Sequence, residues 1–165
     1  MSMDYRGFQK LLKSFESVQV QYESFINKFL LEMAMRCMSQ TKKLTPVDTG
    51  NLRNKWELSN IKRIGDELQI EVINPEEYAS FVEDGHWQDN RFLPIYHLDT
   101  GSKRSQQLAA TIRTKYGPDA EGIMLKEKWV PGYHMARISI TRLENEIPAR
   151  FERAFKQFLK NLEVI

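Results

Sequence analysis

The chain has 165 residues, with a hydrophobic fraction of 41% and a charged fraction of 28%, which are the proportions of a folded globular protein. They exclude a disordered, collagen-like or membrane-spanning chain, and the length suffices for a single domain over residues 1–165 that folds without disulfides or metal. The formal charge of +2 gives no field that would attract DNA or an anionic membrane, so neither is predicted as a partner.

The N-terminal residues MSMDYRGFQK lack the basic-then-apolar order of a secretory signal, so we expect the chain to stay in the cytoplasm of its producer. From Asp4 to about Leu44, apolar side chains recur at helical spacing, which predicts one long amphipathic helix. The single cysteine, Cys37, lies in this pattern and is predicted to be a small buried side chain.

Four aromatic side chains of this helix repeat every seven residues: Phe8, Phe15, Tyr22 and Phe29. The repeat allows two interpretations, either a coiled-coil seam or packing against the chain's own sheet and final helix. Large aromatics suit the seam of a two-stranded coil poorly, which favours packing within the chain.

Pro46 cannot continue a helix, so the first helix is predicted to end just before it, and TPVDTG is predicted to be a turn. In this turn, Asp48 is expected to accept hydrogen bonds from the backbone amides that follow, as a helix cap or Asx-turn. Gly50 is expected to adopt a positive φ, and Leu52 to anchor the turn in the core.

Two strand-like runs follow, residues 56–64 and 68–73, and the Gly65-Asp66 turn between them predicts an antiparallel hairpin with one buried face. Residues 78–82 form either a short helical turn or a strand. From Gly85 to Lys128, glycines and prolines separate polar stretches. This pattern predicts an extended loop at about residues 86–128, with a short helix at residues 106–115.

The last segment, residues 135–162, again has one apolar stripe at helical spacing, which predicts a final helix that Pro148 kinks or restarts. The order of helix, strands, long loop and helix predicts an α+β fold.

The three histidines, His86, His97 and His134, are far apart in sequence and lack metal-ligand spacing. No glycine-rich phosphate loop and no activated nucleophile is recognisable. The sequence therefore predicts no catalytic residue, no cofactor and no metal. One alternative stays open: a small metal-dependent hydrolase that uses four residues brought together by the fold, namely Asp48, Glu83, Asp84 and His86.

Three blocks of sequence resemble a known family: TPVDTGNLRNKW (residues 45–56), INPEEYASFVEDGHW (residues 73–87) and WVPGYHM (residues 129–135). In their order and separation they are similar to the gene-product-ten-like proteins of long-tailed bacteriophages, described as head–tail joining, neck or tail-completion proteins. The motif positions in this chain are Pro46, Asp48, Gly50, Leu52, Asn74, Tyr78, Glu83, Gly85, Pro131 and Gly132. Asn54-Lys55-Trp56 replaces a segment where the family often has serine, and the interval 85–130 is longer than in compact members.

The resemblance implies an α+β subunit without enzymatic activity, assembled with copies of itself into a ring, expected to be sixfold, between connector and tail. Its neighbours would be connector, tail-terminator, tube or sheath proteins, first in the bacterial cytoplasm and then in the particle. We expect the long loop to contribute to the contact between subunits through Arg91, Tyr96, Lys103, Arg104, Arg113 and Lys115.

Two further alternatives concern assembly and binding. The chain could instead be a collar or tail terminator of a contractile bacteriocin or defective prophage, which the sequence alone does not separate from a phage neck protein. It could also be a helical adaptor that binds a partner helix through the Phe8–Phe29 stripe. The adaptor interpretation predicts that removing residues 1–30 leaves a folded domain, whereas we expect unfolding.

Overall fold

A computed structural model describes the backbone of residues 5–163 and the side chains of residues 13–162. It contains helices and short antiparallel strands, as the predicted α+β class requires. In chain order the elements are α1 Tyr5–Leu44, α2 Asn51–Asn54, β1 Glu57–Leu58, β2 Lys62–Ile64, β3 Glu67–Gln69, β4 Val72–Ile73, α3 Ala79–Asp84, β5 Gly85–Gln88, β6 Arg91–Pro94, α4 Ile95–Asp99, α5 Lys103–Tyr116, β7 Gly122–Leu125, β8 Lys128–Pro131 and α6 Met135–Glu163.

The chain divides into two compact units. Unit 1 comprises Met1–Gln40, Glu57–Ile73 and Ile138–Ile165, and unit 2 comprises Thr41–Trp56 and Asn74–Arg137. The expectation of one domain over residues 1–165 stays a prediction.

In unit 1, aromatic side chains of α1 pack on those of α6. The ring of Phe25 lies 4.8 Å from that of Phe158 and 5.9 Å from that of Phe151, and Phe29 meets Phe151 edge to face at 5.3 Å. Beside this cluster, Met33, Cys37 and Leu143 form a buried core against which Val72 packs. The predicted helix and the burial of Cys37 are therefore confirmed, and the aromatic stripe packs within the chain from Tyr22 to Phe29.

The first half of the stripe differs from the second. Phe15 is 63% exposed, and the side chain of Phe8 lies outside the described residues. The seven-residue repeat therefore spans one ring that packs poorly on the chain's own helices and two that pack well on them.

The predicted hairpin is confirmed in unit 1. Strand β2 pairs antiparallel with β3 from Lys62 opposite Gln69 to Ile64 opposite Glu67, and Gly65 takes the turn with a φ of 62°. Strand β1 pairs with β4 in the same sense. On the inner side of these strand pairs, Leu68 and Val72 are half-buried, so the one buried face that was predicted is only partly buried.

Helix α6 runs from Met135 to Glu163 with Pro148 inside it, so of the two alternatives predicted at this proline, a kink or a restart, the restart does not occur. Pro148 is exposed, which lets water reach the carbonyl group that the missing N–H leaves without a partner. None of the helices within residues 5–163 combines the length and apolar character needed to cross a membrane.

The prediction of an extended loop at residues 86–128 is wrong, because this segment of unit 2 forms a β-ribbon capped by two helices. The short helix predicted within it, at residues 106–115, is confirmed as part of α5. Strand β5 pairs with β8 from Gly85 opposite Pro131, and β6 pairs with β7 as far as Pro94 opposite Gly122. The register is the same along both ladders, so the pairing continues without a shift across the interruption between them. There, Gln88 Nε2 donates to Lys126 O at 3.0 Å, and Asn90 Oδ1 accepts from Glu127 N at 2.7 Å.

The helices α4 and α5 close one end of this ribbon over a small core of their own. Ile95, Leu98, Ala109 and Ile112 are buried, and Leu93 and Ile123 of the ribbon pack against them. This core was not predicted from the sequence, because its apolar residues are few and widely spaced along the chain. Of residues 78–82, whose structure the sequence left open, residues 79–82 belong to helix α3 and Tyr78 is its N-cap residue.

Candidate functional site

The two ends of the first sequence block, residues 45–56, are joined by buried hydrogen bonds at Thr45. Its hydroxyl donates to Thr41 O at 2.7 Å and accepts from Trp56 Nε1 at 2.9 Å. Thr45 is 2% exposed and Trp56 is 7% exposed, so little water reaches either side chain. The indole N–H of Trp56 therefore depends on the Thr45 hydroxyl group as its hydrogen-bond acceptor. The indole of Trp56 thus closes the loop onto the end of α1.

Within the loop, most motif positions have the roles that the sequence predicted. Helix α1 ends at Leu44, two residues before Pro46. Gly50 has a φ of 92°, which L side chains rarely adopt, and Leu52 is 6% exposed. The prediction for Asp48 is wrong: no hydrogen bond of its carboxylate caps α2, and Thr49 Oγ1 accepts from Asn51 N instead, at 3.4 Å. The shorter threonine side chain lies one residue nearer to the helix.

Asn74 connects the second block to the first. Its Nδ2 donates to Leu52 O at 2.7 Å, and its Oδ1 accepts from Glu76 N at 3.2 Å. A side-chain amide supplies both a donor and an acceptor. One residue can therefore hold two loops together even though their backbones are not paired as strands.

A cleft of about 350 Å³ lies over this loop, lined by residues 46–52 together with Tyr78, Val82 and Arg104. Tyr78 is 41% exposed, and its pKa is raised, first by burial of the hydroxyl and then by the carboxylates of Glu76 and Asp48. The hydroxyl therefore stays protonated at neutral pH. The structure thus brings Asp48, Tyr78 and Arg104 together, from two predicted motif blocks and the predicted loop.

Glu83, Gly85, Pro131 and Gly132 meet at the start of α6. The carboxylate of Glu83 accepts from Ala136 N and from Arg137 N, both at 3.0 Å, and so caps the helix from a distant part of the sequence. Tyr133 N and His134 N donate to the carbonyl groups of Val82 and Glu83, at 2.8 and 3.0 Å. A Cβ at Gly132 would lie 2.6 Å from Gly85 N, so only glycine fits this approach of two backbones.

The four residues of the hydrolase alternative do not form one polar centre in the structure. Glu83 is engaged in the helix cap, and Asp84 pairs with Arg137 at 3.3 Å. His86 packs edge to face on Phe81 at 5.5 Å, and its Nδ1 is buried without a hydrogen-bond partner. Across the described residues, no group of three or more His, Cys, Asp or Glu side chains is arranged to hold a metal ion.

The six residues predicted for the contact between subunits all lie on the ribbon and its two helices. Arg91 is exposed on β6, Tyr96 is 60% exposed on α4, and Lys103 and Arg104 are exposed at the start of α5. Arg113 differs, because it forms two hydrogen bonds with Asp99, at 2.9 and 2.5 Å, that join α5 to α4.

Sequence reasoning missed two pairs of exposed apolar side chains on the ribbon. Trp87 lies opposite Trp129 and Phe92 lies opposite Met124, with exposed fractions of 65%, 48%, 50% and 65% in that order. In each half of the ribbon the exposed pair neighbours a half-buried pair, His86 with Val130 and Leu93 with Ile123.

Comparison with known proteins places this geometry in context. Residues 9–85 match the model of the HK97-gp10-like family, a bacteriophage tail component, which is somewhat less than half of the chain. The matched region contains the first block and most of the second, and ends before the third. The chain is also 32% identical over 99 residues to the phage-like element PBSX protein XkdI of Bacillus subtilis strain 168.

That alignment covers 58% of this chain and 54% of the relative, so the chain spans about half the length of the curated protein it matches. No solved structure matches the chain. The resemblance to a phage head–tail or tail-component family, stated from the three blocks, is confirmed by the family match and by the prophage relative.

Proposed function

We propose that this relative of phage tail components is a structural subunit that joins head to tail, or completes and terminates the tail, as a member of a ring. The observation that carries the proposal is the family match over residues 9–85, which contains the Thr45–Trp56 loop and the helix α3 segment. A phage structural protein is the coarser statement that the two comparisons support.

The hydrogen bonds of the motif residues agree with a structural role. Thr45, Asn74 and Glu83 each use their side-chain polar atoms to bind backbone or a buried partner, which fixes loops and a helix start. Such residues specify a rigid surface, which assembly requires. We infer that the chain is not an enzyme and needs no cofactor.

The partners in this proposal are copies of the same chain, in a ring expected to be sixfold, and the neighbouring connector, tail-terminator, tube or sheath proteins. Assembly would take place in the bacterial cytoplasm, and the finished subunit would reside in the particle. Neither a membrane nor a specific nucleic acid is a proposed partner, because the net charge is only +2.

A second candidate has one observation in its favour. The relative from Bacillus subtilis is named as a protein of a phage-like element, which suits a collar or tail terminator of a defective prophage or bacteriocin. Neighbouring genes separate the two: a sheath and tube without a packaging terminase indicate the tail-like particle.

The test is deletion of the gene in the strain that encodes it, followed by induction of particle production and electron microscopy. We expect free heads together with unattached or irregular tails, and rescue by the gene supplied in trans. Normal particles in the deletion strain would remove the proposed role. The hydrolase alternative would return if Glu83→Ala and His86→Ala left particles intact while abolishing an assayed turnover.

A further inference from the structure

The ribbon of unit 2 carries its exposed apolar side chains in two separate patches. The Trp patch consists of Trp87 and Trp129, and the Met patch consists of Phe92 and Met124. They are five residues apart along the ribbon, which corresponds to about 17 Å at the rise of a β-strand. Unlike scattered surface residues, these four side chains form two directly opposed cross-strand pairs.

Each patch is held rigidly by its own strand pair. The two indoles of the Trp patch meet edge to face at 5.8 Å. A Cβ on Gly85 would lie 2.8 Å from Trp129 Cζ2, and a Cβ on Gly122 would lie 2.6 Å from Phe92 Cζ. An aromatic ring therefore covers a glycine in each half of the ribbon. Rings fixed in this way lose little conformational entropy when a partner covers them.

Within the described residues, the strands of the ribbon pair only with one another, β5 with β8 and β6 with β7. Two-stranded ribbons are only marginally stable in water, and both of their edges stay open to pairing. Trp, Phe and Met are also the side chains enriched in the cores of protein interfaces, where Lys and Glu are depleted. The four exposed side chains of the two patches therefore have the composition of an interface core, although they lie on the surface of the isolated chain.

We propose that the Trp patch of one copy of this chain packs on the Met patch of the next copy, in a contact that repeats around the ring. This inference rests on the proposed function. A closed ring with heterologous contacts requires two different patches on each subunit, one for each neighbour, and the ribbon presents two. A single foreign partner would require only one.

The surface available suits such a contact. With about 150–250 Å² for each of the three aromatic side chains, and a similar area for Met124, the exposed fractions of the four residues give about 500 Å² of apolar surface for one contact. This is roughly a third of the ~1,600 Å² buried in an interface of standard size, and polar residues around the patches supply the rim. Met124 against indole faces also gives sulfur–aromatic contacts.

The test uses thiols placed in the two patches of the full-length chain. Cys37 is the single native cysteine and is 2% exposed, so a bismaleimide reagent reaches only the introduced thiols. Trp87→Cys protein is mixed with Met124→Cys protein at high concentration and treated with a short bismaleimide. The matched control is Met35→Cys, at an exposed site on α1, mixed with Trp87→Cys.

We expect cross-linked dimers in the Trp87→Cys and Met124→Cys mixture, severalfold above the control mixture and above either variant alone. The double variant on one chain should give a ladder of oligomers that stops at the ring size. Absence of mixed dimers while circular dichroism shows folded protein would overturn the contact. So would dimers that form equally well from one variant alone, because those indicate a two-fold contact.

The outcomes also separate the contact from the proposed function. Mixed dimers from a protein whose deletion leaves particles normal would keep the contact and remove the particle role. Conversely, no mixed dimers from a protein that the deletion shows to be required for tails would remove the contact and keep the role.

Discussion

The indole Nε1 of Trp56 donates a hydrogen bond to Thr45 Oγ1 at 2.9 Å, although the two residues are eleven positions apart in sequence, and both side chains are buried. The threonine hydroxyl in turn donates to Thr41 O, so both the indole N–H and the hydroxyl group have hydrogen-bond partners. The first sequence block therefore folds around one threonine, Thr45, that is not among the motif positions identified from the sequence.

Thr45→Val keeps the shape of the side chain but leaves the buried indole N–H of Trp56 without an acceptor. We expect a loss of about 1–3 kcal/mol in the free energy of unfolding, measured by urea denaturation. Thr45→Ser retains the hydroxyl group and should therefore keep most of the free energy of unfolding that Thr45→Val loses. If Thr45→Val and Thr45→Ser were equally stable, the hydrogen bond would contribute nothing.

Glu83→Ala removes the carboxylate that caps helix α6 at Ala136 N and Arg137 N. We expect about 1–2 kcal/mol of destabilisation, because two amides at the helix start lose their acceptor and the helix dipole loses a favourable charge. The matched control is Asp84→Ala, whose ion pair with Arg137 is largely exposed and should cost under about 1 kcal/mol. Equal effects of the two changes, by urea denaturation, would contradict the capping role.

Gly132→Ala forces a Cβ against the backbone of Asp84 and Gly85. Because backbone atoms cannot rotate away, we expect a loss of about 3 kcal/mol or poor folding, seen as a lower thermal midpoint and reduced expression. Gly65→Asn serves as control, since Gly65 has a φ of 62° that asparagine tolerates and no atom within 4 Å of its Cβ position. Gly65→Asn should leave the midpoint almost unchanged.

Phe25→Ala removes the ring at the centre of the aromatic cluster between α1 and α6. Phe25 is half-buried, so we expect about 2–3 kcal/mol of destabilisation by urea denaturation, somewhat below the value for a fully buried phenylalanine. Phe15→Ala, at a ring that is 63% exposed, should change stability little. The helical adaptor interpretation makes a different prediction. An adaptor would bind its partner helix through Phe15 and its neighbours, so Phe15→Ala should then weaken binding of the partner more than Phe25→Ala does.

The pKa of Asp99 is lowered, chiefly by its hydrogen bonds from Arg113; burial opposes this shift, and the charge of the guanidinium adds a smaller lowering. A carboxyl whose pKa is lower when folded stabilises the fold above its unfolded pKa. That contribution is lost as the pH falls through the folded pKa. Lowering the pH through the ordinary carboxyl range should therefore loosen the α4–α5 pair slightly.

Hydrogen exchange of the α5 amides, compared between the wild-type chain and Asp99→Asn, measures this effect. Protection in the wild-type chain should fall toward that of Asp99→Asn at acidic pH, and the difference should be small because the pair is solvent-exposed. A difference between the two proteins that does not depend on pH would contradict the assignment to this carboxylate.

Periodicity was sufficient for the long helices and the hairpin, because each has a continuous apolar pattern of the right period. It failed between residues 86 and 128, where β5 to β8 are four residues each and their partners are more than 25 residues away in sequence. The Asp48 prediction failed for a local reason, since Thr49 is also a capping residue and is one position nearer to α2. Motif positions such as Asn74 and Glu83 came from the family resemblance, and only the structure shows the backbone groups they bind.

The unbroken register of the ribbon has a consequence for engineering. Because Pro94 lies opposite Gly122, the chain leaves and re-enters the paired strands at adjacent points, and everything between them forms a self-contained insert with its own core. Extending such a loop costs little closure entropy. A peptide tag placed at the exposed Pro118-Asp119 turn should therefore be tolerated and mark the subunit in assembled particles for antibody labelling.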